Sequence, residues 1–191
     1  MPTPPTIIAF TASNSTKSIN RRLITYAVQV LKEVFALPLN IEILDINNFE
    51  MPLFSPEREL TGIPQLAHDF YAKIGAADGV VISFAEHNGT YTAAFKNLFD
   101  WTSRIDTKVF QGNPTLLMAT SMGARGGQNV LTAALGGFPH FGANITSSFS
   151  FGPCSEHFDT ASNRLTTPAL MSELRDAITA FAVTLPVATR T

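Results

Sequence analysis

The chain has 191 residues, 45% of them apolar and 15% charged, and a formal net charge of -2. That length suits a single domain over residues 1–191, burying roughly 70% of the surface its unfolded chain would expose. A charge this close to neutral supplies no basic field to draw nucleic acid or anionic lipid, which argues against polyanion-binding functions.

The proline-rich start, Met1-Pro2-Thr3-Pro4-Pro5, lacks a basic region followed by a long apolar run, so it does not read as a signal peptide. Thr6 to Phe10 is a short continuous apolar run, the pattern of a strand covered on both faces. After a polar loop, Asn20 to Phe35 carries Leu23, Ala27, Val30, Leu31 and Val34 at three- and four-residue spacing and is predicted helical. Pro38 closes that helix, and Ile41 to Leu44 forms a second strand. The segment from Asn47 to Pro64 is irregular. Leu66, Phe70 and Ile74 then mark a second helix. Gly79 to Phe84 is the clearest strand in the chain, followed by a polar loop and a helix from about Ala93 to Arg104. A fourth strand, Thr115 to Ala119, leads through a small-residue loop into a helix from about Gln128 to Leu135. Ile145 to Phe151 is a fifth strand and Ala169 to Val183 a final helix. The intervening stretch, Gly152 to Thr167, receives no assignment. It contains the lone cysteine, Cys154, which excludes an internal disulfide framework and a cysteine-built metal site. Cys154 reads either as a redox thiol or as a buried or incidental cysteine, and the absence of an acidic or basic neighbour at suggestive spacing favours the latter. No apolar stretch approaches the length of about 20 residues needed to cross a membrane, so a soluble, cytoplasmic protein without a membrane partner is expected.

Strands alternating with helices predict a parallel sheet with right-handed crossovers and helices on both faces. Every loop that follows a strand then opens at the carboxyl edge, where ligands of open α/β sheets bind. Three of these loops carry unusual chemistry.

Loop one, Thr11 to Asn20, holds five hydroxyls, two amides and one ammonium just before a helix N-terminus. Unpaired N–H groups and the helix dipole favour an anion there, so a phosphate fits; the competing reading is helix capping by Ser18 or Asn20. The nucleoside-triphosphate loop would need glycines where Thr11 and Thr16 stand, and the spaced glycines of a dinucleotide loop are missing too. What remains is a hydroxyl-lined cradle suited to a phosphate monoester. In loop two, Ala85 to Tyr91, Asn88-Gly89 predicts a tight turn that lets a flat ligand approach the backbone. His87 reads either as a ring contact or as a surface-turn residue, and Glu86 as a loop anchor. Loop three, Ser121 to Gly127, has three glycines. It reads either as a backbone surface for a ligand or as a plain strand-to-helix turn, with Arg125 an anion contact or a solvated charge.

At these loops the sequence resembles the NADPH-dependent FMN reductase family, which includes quinone, chromate and azo-dye reductases. The resemblance runs from about Ile7 to Ala134. Of the family's first motif, Ser13, Ser18 and Asn20 match, while its glycine is replaced by Ala12 and its phosphate-facing arginine by Ser15. The second motif is similar to Ala85-Glu86-His87-Asn88-Gly89-Thr90 followed by Lys96-Asn97 and Asp100-Trp101. The third is intact as Ser121, Gly123, Gly126 and Gly127.

The resemblance implies a flavodoxin-like fold, a five-stranded parallel sheet of order 2-1-3-4-5, and an FMN-dependent NAD(P)H oxidoreductase. Its cofactors would be FMN and NADPH or NADH, and its partner a small-molecule electron acceptor such as a quinone or a free flavin. The implied FMN contacts are Ser13, Ser15, Lys17, Ser18, Ile19 and Asn20 at the phosphate, Glu86, His87, Asn88, Gly89 and Thr90 along one ring edge, and Ser121, Met122 and Gly123 near its other side. Because the cofactor carries the chemistry, no acid–base side chain and no metal is assigned. Without the arginine, Lys17 supplies only a point charge, and weaker FMN affinity is expected. An FMN-binding electron-transfer module and a non-enzymatic domain that has lost FMN are the alternatives. A homodimer or dimer of dimers is also implied. The segment Phe49 to Phe54, with its apolar residues, reads either as interface or as satellite core packing.

Overall fold

The structure, a computed structural model, describes residues 3–186; Met1 and Pro2 of the proline-rich start lie outside them. Its main sheet is β1 (Thr6–Ala12), β2 (Asn40–Leu44), β3 (Gly79–Phe84), β4 (Pro114–Thr120) and β5 (Asn144–Phe151). All neighbours are parallel, in the order β2-β1-β3-β4-β5. The long helices are α1 (Ile19–Phe35), α3 (Gln65–Gly75), α4 (Ala93–Thr102), α5 (Gln128–Gly137) and α7 (Pro168–Ala182). Between them lie two short helices, α2 (Pro56–Glu59) and α6 (Cys154–His157), and a two-stranded antiparallel ribbon, β6 (Phe158–Asp159) with β7 (Arg164–Leu165).

Alternation along the central strands explains why they read as unbroken apolar runs. Ile8 and Phe10 of β1, Val80, Ile82 and Phe84 of β3, and Leu117 and Ala119 of β4 face one way, into a core shared with Phe70, Phe95, Trp101 and Phe138. Ile7, Ala9, Val81, Leu116 and Met118 face the other way, against Leu23 and Leu31 of α1 and Leu174, Ile178 and Phe181 of α7. Burial on both faces is what a parallel sheet under helices requires. The edge strand β2 is different, for only Leu44 of its five residues is buried.

The unassigned stretch is ordered by its own short elements. The β6–β7 ribbon packs on α1 through an edge-to-face contact of Phe158 with Tyr26, ring centres 6.2 Å apart. The Arg22 guanidinium donates to the Thr160 carbonyl across 2.8 Å. Strands of two residues leave no periodicity to read in a sequence. Cys154 is buried, and burial pushes its thiol above its ordinary value. Among the described residues no helix is long and apolar enough to cross a membrane.

The chain turns from β1 to β2 on one side and crosses back to β3 on the other, so the switch point lies between β1 and β3. Loops one and two flank it and loop three follows from β4.

Candidate functional site

Loop one is pinned by two contacts from other segments and by one of its own. The Ala12 carbonyl accepts from the buried Thr92 hydroxyl at 3.0 Å. The Asn14 carbonyl accepts from the Asn47 side chain at 3.2 Å, and the Ser13 hydroxyl oxygen accepts the Ser15 N–H at 3.2 Å. The loop then delivers Ser18 as the N-cap of α1, where its side chain makes no capping hydrogen bond. No acidic residue occupies the first turn. Helix capping by Ser18 is therefore not what this loop does. Its dipole and free N–H groups at Ile19 and Asn20 face a rim of exposed Asn14, Ser15, Thr16 and Lys17, an arrangement complementary to an anion.

Asn20 departs from the simplest expectation. Its side chain is 1% exposed and is committed elsewhere: Nδ2 donates to the Thr120 carbonyl at 3.0 Å, while Oδ1 accepts from the Thr120 N–H at 2.9 Å and the Ser83 hydroxyl at 2.8 Å. Only its main-chain N–H remains for a phosphate.

Loop two folds as a two-residue reverse turn. His87 and Thr90 exchange both main-chain hydrogen bonds, at 3.0 and 3.1 Å. Asn88 and Gly89 both have positive φ, 52° and 79°, the combination of a type I′ turn, which only residues such as Asn and Gly adopt cheaply. The turn leaves His87, Asn88, Gly89 and Thr90 exposed. Glu86 points away from them: its carboxylate accepts the Val130 N–H at 3.0 Å and lies 3.5 Å from the Asn129 amide. It caps α5, whose own N-cap, Gly127, has no side chain, and so ties loop two to loop three. Beneath the turn Tyr91 packs on Phe84, Phe95 and Phe138, and burial pushes its hydroxyl up to about 12.

Loop three divides into two parts. Gly126 and Gly127, with φ of 59° and 78°, are packed inward; a β-carbon on Gly126 would fall on the Phe151 carbonyl and the Gly152 nitrogen. Ser121, Met122 and Gly123 form the open part, where a β-carbon on Gly123 would meet nothing nearer than the Ser121 hydroxyl, at 3.8 Å. Met122 is 63% exposed. Arg125 is exposed and lines a cleft of about 610 Å³ with His157 and Thr167.

The segment after β2 completes the edge. Asp45 accepts from the Asn47 main-chain and side-chain N–H groups and from Arg21, at 2.8 to 3.0 Å. Burial works against its charge, yet these hydrogen bonds and the Arg21 guanidinium hold its carboxyl below the ordinary carboxylate value. From α4, the Asn97 side chain accepts the Phe54 N–H at 2.8 Å and donates to the Met51 and Pro52 carbonyls at 3.0 and 3.2 Å, while Trp101 Nε1 donates to Pro52 at 2.7 Å. Lys96 and Asp100 pair on the outer side of the same helix at 2.6 Å. The Asn97 and Trp101 side chains thus clamp the segment. The apolar residues read as a patch are mostly core: Phe49 and Met51 are buried, Phe54 sits edge-on to Trp101 with ring centres 5.2 Å apart, and Leu53 alone is 69% exposed. A cavity of about 230 Å³ lies between this segment, Asn14 and the start of α4.

Sequence reasoning missed Thr92, Asn47, Ser83 and Thr120, which hold the loops in place. Ser83 alone left a trace, as the one hydroxyl in an apolar strand run.

The profile of the family described as NADPH-dependent FMN reductase matches residues 5–156. Among curated relatives, the chain is 36% identical over 96 residues to a quinone reductase of Escherichia coli strain K12, covering 50% of this chain and 47% of that protein. It is 30% identical over 125 residues to an NADPH:quinone oxidoreductase of Arabidopsis thaliana, covering 64% and 61%. The chain spans about half the length of the first of these relatives. In fold it is similar to an NADH:FMN oxidoreductase in its apo form, with a TM-score of 0.73 at 20% identity, covering 96% of this chain and 91% of the other. It is also similar to FerB, a flavoenzyme NAD(P)H:(acceptor) oxidoreductase of Paracoccus denitrificans, with a TM-score of 0.71 at 20% identity and coverage of 94% and 96%.

Proposed function

The chain belongs to the NADPH-dependent FMN reductase family, and on that premise we propose that it is an FMN-dependent NAD(P)H oxidoreductase acting on a quinone-type small-molecule acceptor. The observation that carries this reading is the start of α1: a helix N-terminus with no side-chain cap and no acid, ringed by hydroxyls, at the switch point of the sheet.

The residues fit the cofactor. Ser13, Ser15, Lys17 and Ser18, with the N–H groups of Ile19 and Asn20, offer donors and one positive charge to a phosphate monoester. The I′ turn at Asn88-Gly89 and the open backbone of Ser121 to Gly123 offer exposed main-chain groups to a flat ring. Bound FMN would supply the redox chemistry, taking hydride from the nicotinamide and passing electrons to the acceptor.

The protein's part is to bind and orient. Glu86, turned into α5, removes a negative charge from the ring side and keeps loops two and three together. His87 and Thr90 hold the turn through main-chain bonds, which leaves the His87 ring exposed beside the expected acceptor path. Lys17, exposed at the rim, stands in for the family's arginine as a single point charge, so affinity for the phosphate depends more on the helix N-terminus here. A homodimer closing over this edge through Leu53 and Met122 belongs to the same reading.

An anaerobic titration tests it. FMN added to the purified protein should bind, and NADPH or NADH should then bleach the flavin absorbance. A protein that takes up no FMN overturns the reading; one that binds FMN but is not reduced favours the electron-transfer alternative. Ser15→Arg should tighten FMN binding by on the order of tenfold, the effect of about 1.4 kcal/mol from a charge-assisted bidentate contact. Unchanged affinity would mean that the phosphate does not lie at this loop or that Lys17 already suffices.

A further inference from the structure

The last residue pair of the β3–β4 ladder is Phe84 with Ala119. Beyond it β3 departs into loop two, and Thr120 at the end of β4 would be left with its main-chain groups unpaired on that side. The Asn20 amide fills the place of the missing strand residue: its Oδ1 takes the Thr120 N–H and its Nδ2 serves the Thr120 carbonyl. This pairing fixes which end of the amide is oxygen, since a peptide N–H only donates and a carbonyl only accepts. The Ser83 hydroxyl donates to the second lone pair of Oδ1. On its other side Thr120 pairs with Phe151 of β5, and its hydroxyl donates to the Phe151 carbonyl at 2.8 Å.

One side chain thereby joins the roots of all three loops. Asn20 ends loop one, Ser83 lies two residues before loop two, and Thr120 immediately precedes loop three. All three residues are buried, so these bonds form in a low dielectric where losing a partner is costly.

We infer that Asn20, oriented by Ser83, is a positioning residue that fixes the spacing between the phosphate loop and the two ring-side loops, and so sets how well both ends of one flavin nucleotide bind together. The inference rests on the FMN reading above. A ligand with two ends gains from both only when the protein holds the two half-sites at the matching separation; a loosened spacing spends that gain on ordering. Because its oxygen is fully used and its side chain is buried, Asn20 acts through the loops and not by touching the phosphate with its amide.

The test uses two probes, FMN, which spans both half-sites, and lumiflavin, which has the ring without the phosphate arm. Flavin fluorescence titrations on the full chain give both affinities, and a urea melt of each variant checks folding. Asn20→Ala should weaken FMN binding on the order of tenfold, the loss expected from about 1.4 kcal/mol of lost hydrogen bonding. Ser83→Ala should weaken it about threefold, through a single hydroxyl. Lumiflavin affinity should stay within about twofold in both. The double variant should be no worse than Asn20→Ala alone, because Ser83 acts through Asn20. Should Asn20→Ala fail to fold, Ser83→Ala and its own probe ratio carry the test.

Equal losses for FMN and lumiflavin would overturn the inference in favour of general loosening. A loss with Asn20→Ala but none with Ser83→Ala would overturn it in favour of direct phosphate contact. If the unaltered protein binds lumiflavin but gains nothing from the phosphate arm of FMN, the spacing role falls while the ring site stands. If it binds neither, the FMN reading falls and this inference with it.

Discussion

Gly123 and Gly126 sit three residues apart in one loop and are glycine for different reasons. Gly126 has φ of 59° and its missing β-carbon leaves room for the Phe151–Gly152 peptide. Gly123 has open space instead. Gly126→Ala should therefore destabilise the protein by about 2 kcal/mol or more, from backbone strain and a clash with rigid main chain. Gly123→Ala should change stability by no more than about 0.5 kcal/mol. Urea unfolding of the two variants checks the contrast, and equal losses would refute it. At this scale a sequence reveals residue types better than duties. The polar wealth of loop one was plain, and so was the turn chemistry of Asn88-Gly89. Asn20 was harder: an amide at a helix start reads as a cap or a ligand contact, and its true partners, Ser83 and Thr120, lie 63 and 100 residues away. Glu86 offered only the bare possibility of an anchor, for nothing local marks Val130 as its partner.

Among the elements, α4 does more than fill the space between two strands. Its outer face carries the Lys96–Asp100 pair, exposed and worth little. Its inner and lateral residues take hold of the segment after β2, Asn97 with three main-chain partners and Trp101 with one. Asn97→Ala removes three hydrogen bonds at once, two of them partly buried, and should cost about 2 kcal/mol. It should also open the segment from Met51 to Arg58 to limited proteolysis. A variant as resistant to protease as the parent would mean that Phe49 and Met51, anchored in the core, hold the segment unaided. The spacing of Lys96, Asn97, Asp100 and Trp101 was visible in the sequence and tied the helix to a family. What it was for was not visible, because its targets are carbonyls and an N–H in a loop with no period of its own.

For the whole molecule, the alternation of apolar runs and helical stripes was enough to predict a parallel sheet with helices on both faces, and the resemblance supplied the strand order. Both rest on long-range regularities that packing enforces. The β6–β7 ribbon escaped because two-residue strands carry no such regularity. Assembly belongs to this scale too. Leu53 and Met122 are large, exposed apolar side chains on segments that border the carboxyl edge. If that edge is covered by a second copy, light scattering at micromolar concentration should give twice the chain mass, and Leu53→Asp should return it to one. A single-chain mass for the unaltered protein would remove the dimer from the proposal.

The hydrogen bonds of the clamp on the segment after β2 reach only main-chain atoms: the carbonyls of Met51 and Pro52 and the N–H of Phe54. The course of that segment is set by these bonds together with the buried Phe49 and Met51, while the side chain at position 53 takes no part. Such an arrangement separates shape from surface identity. Position 53 can therefore be engineered, from leucine to a charged or aromatic residue, without redrawing the loop that presents it, so the character of this rim can be changed independently of its shape.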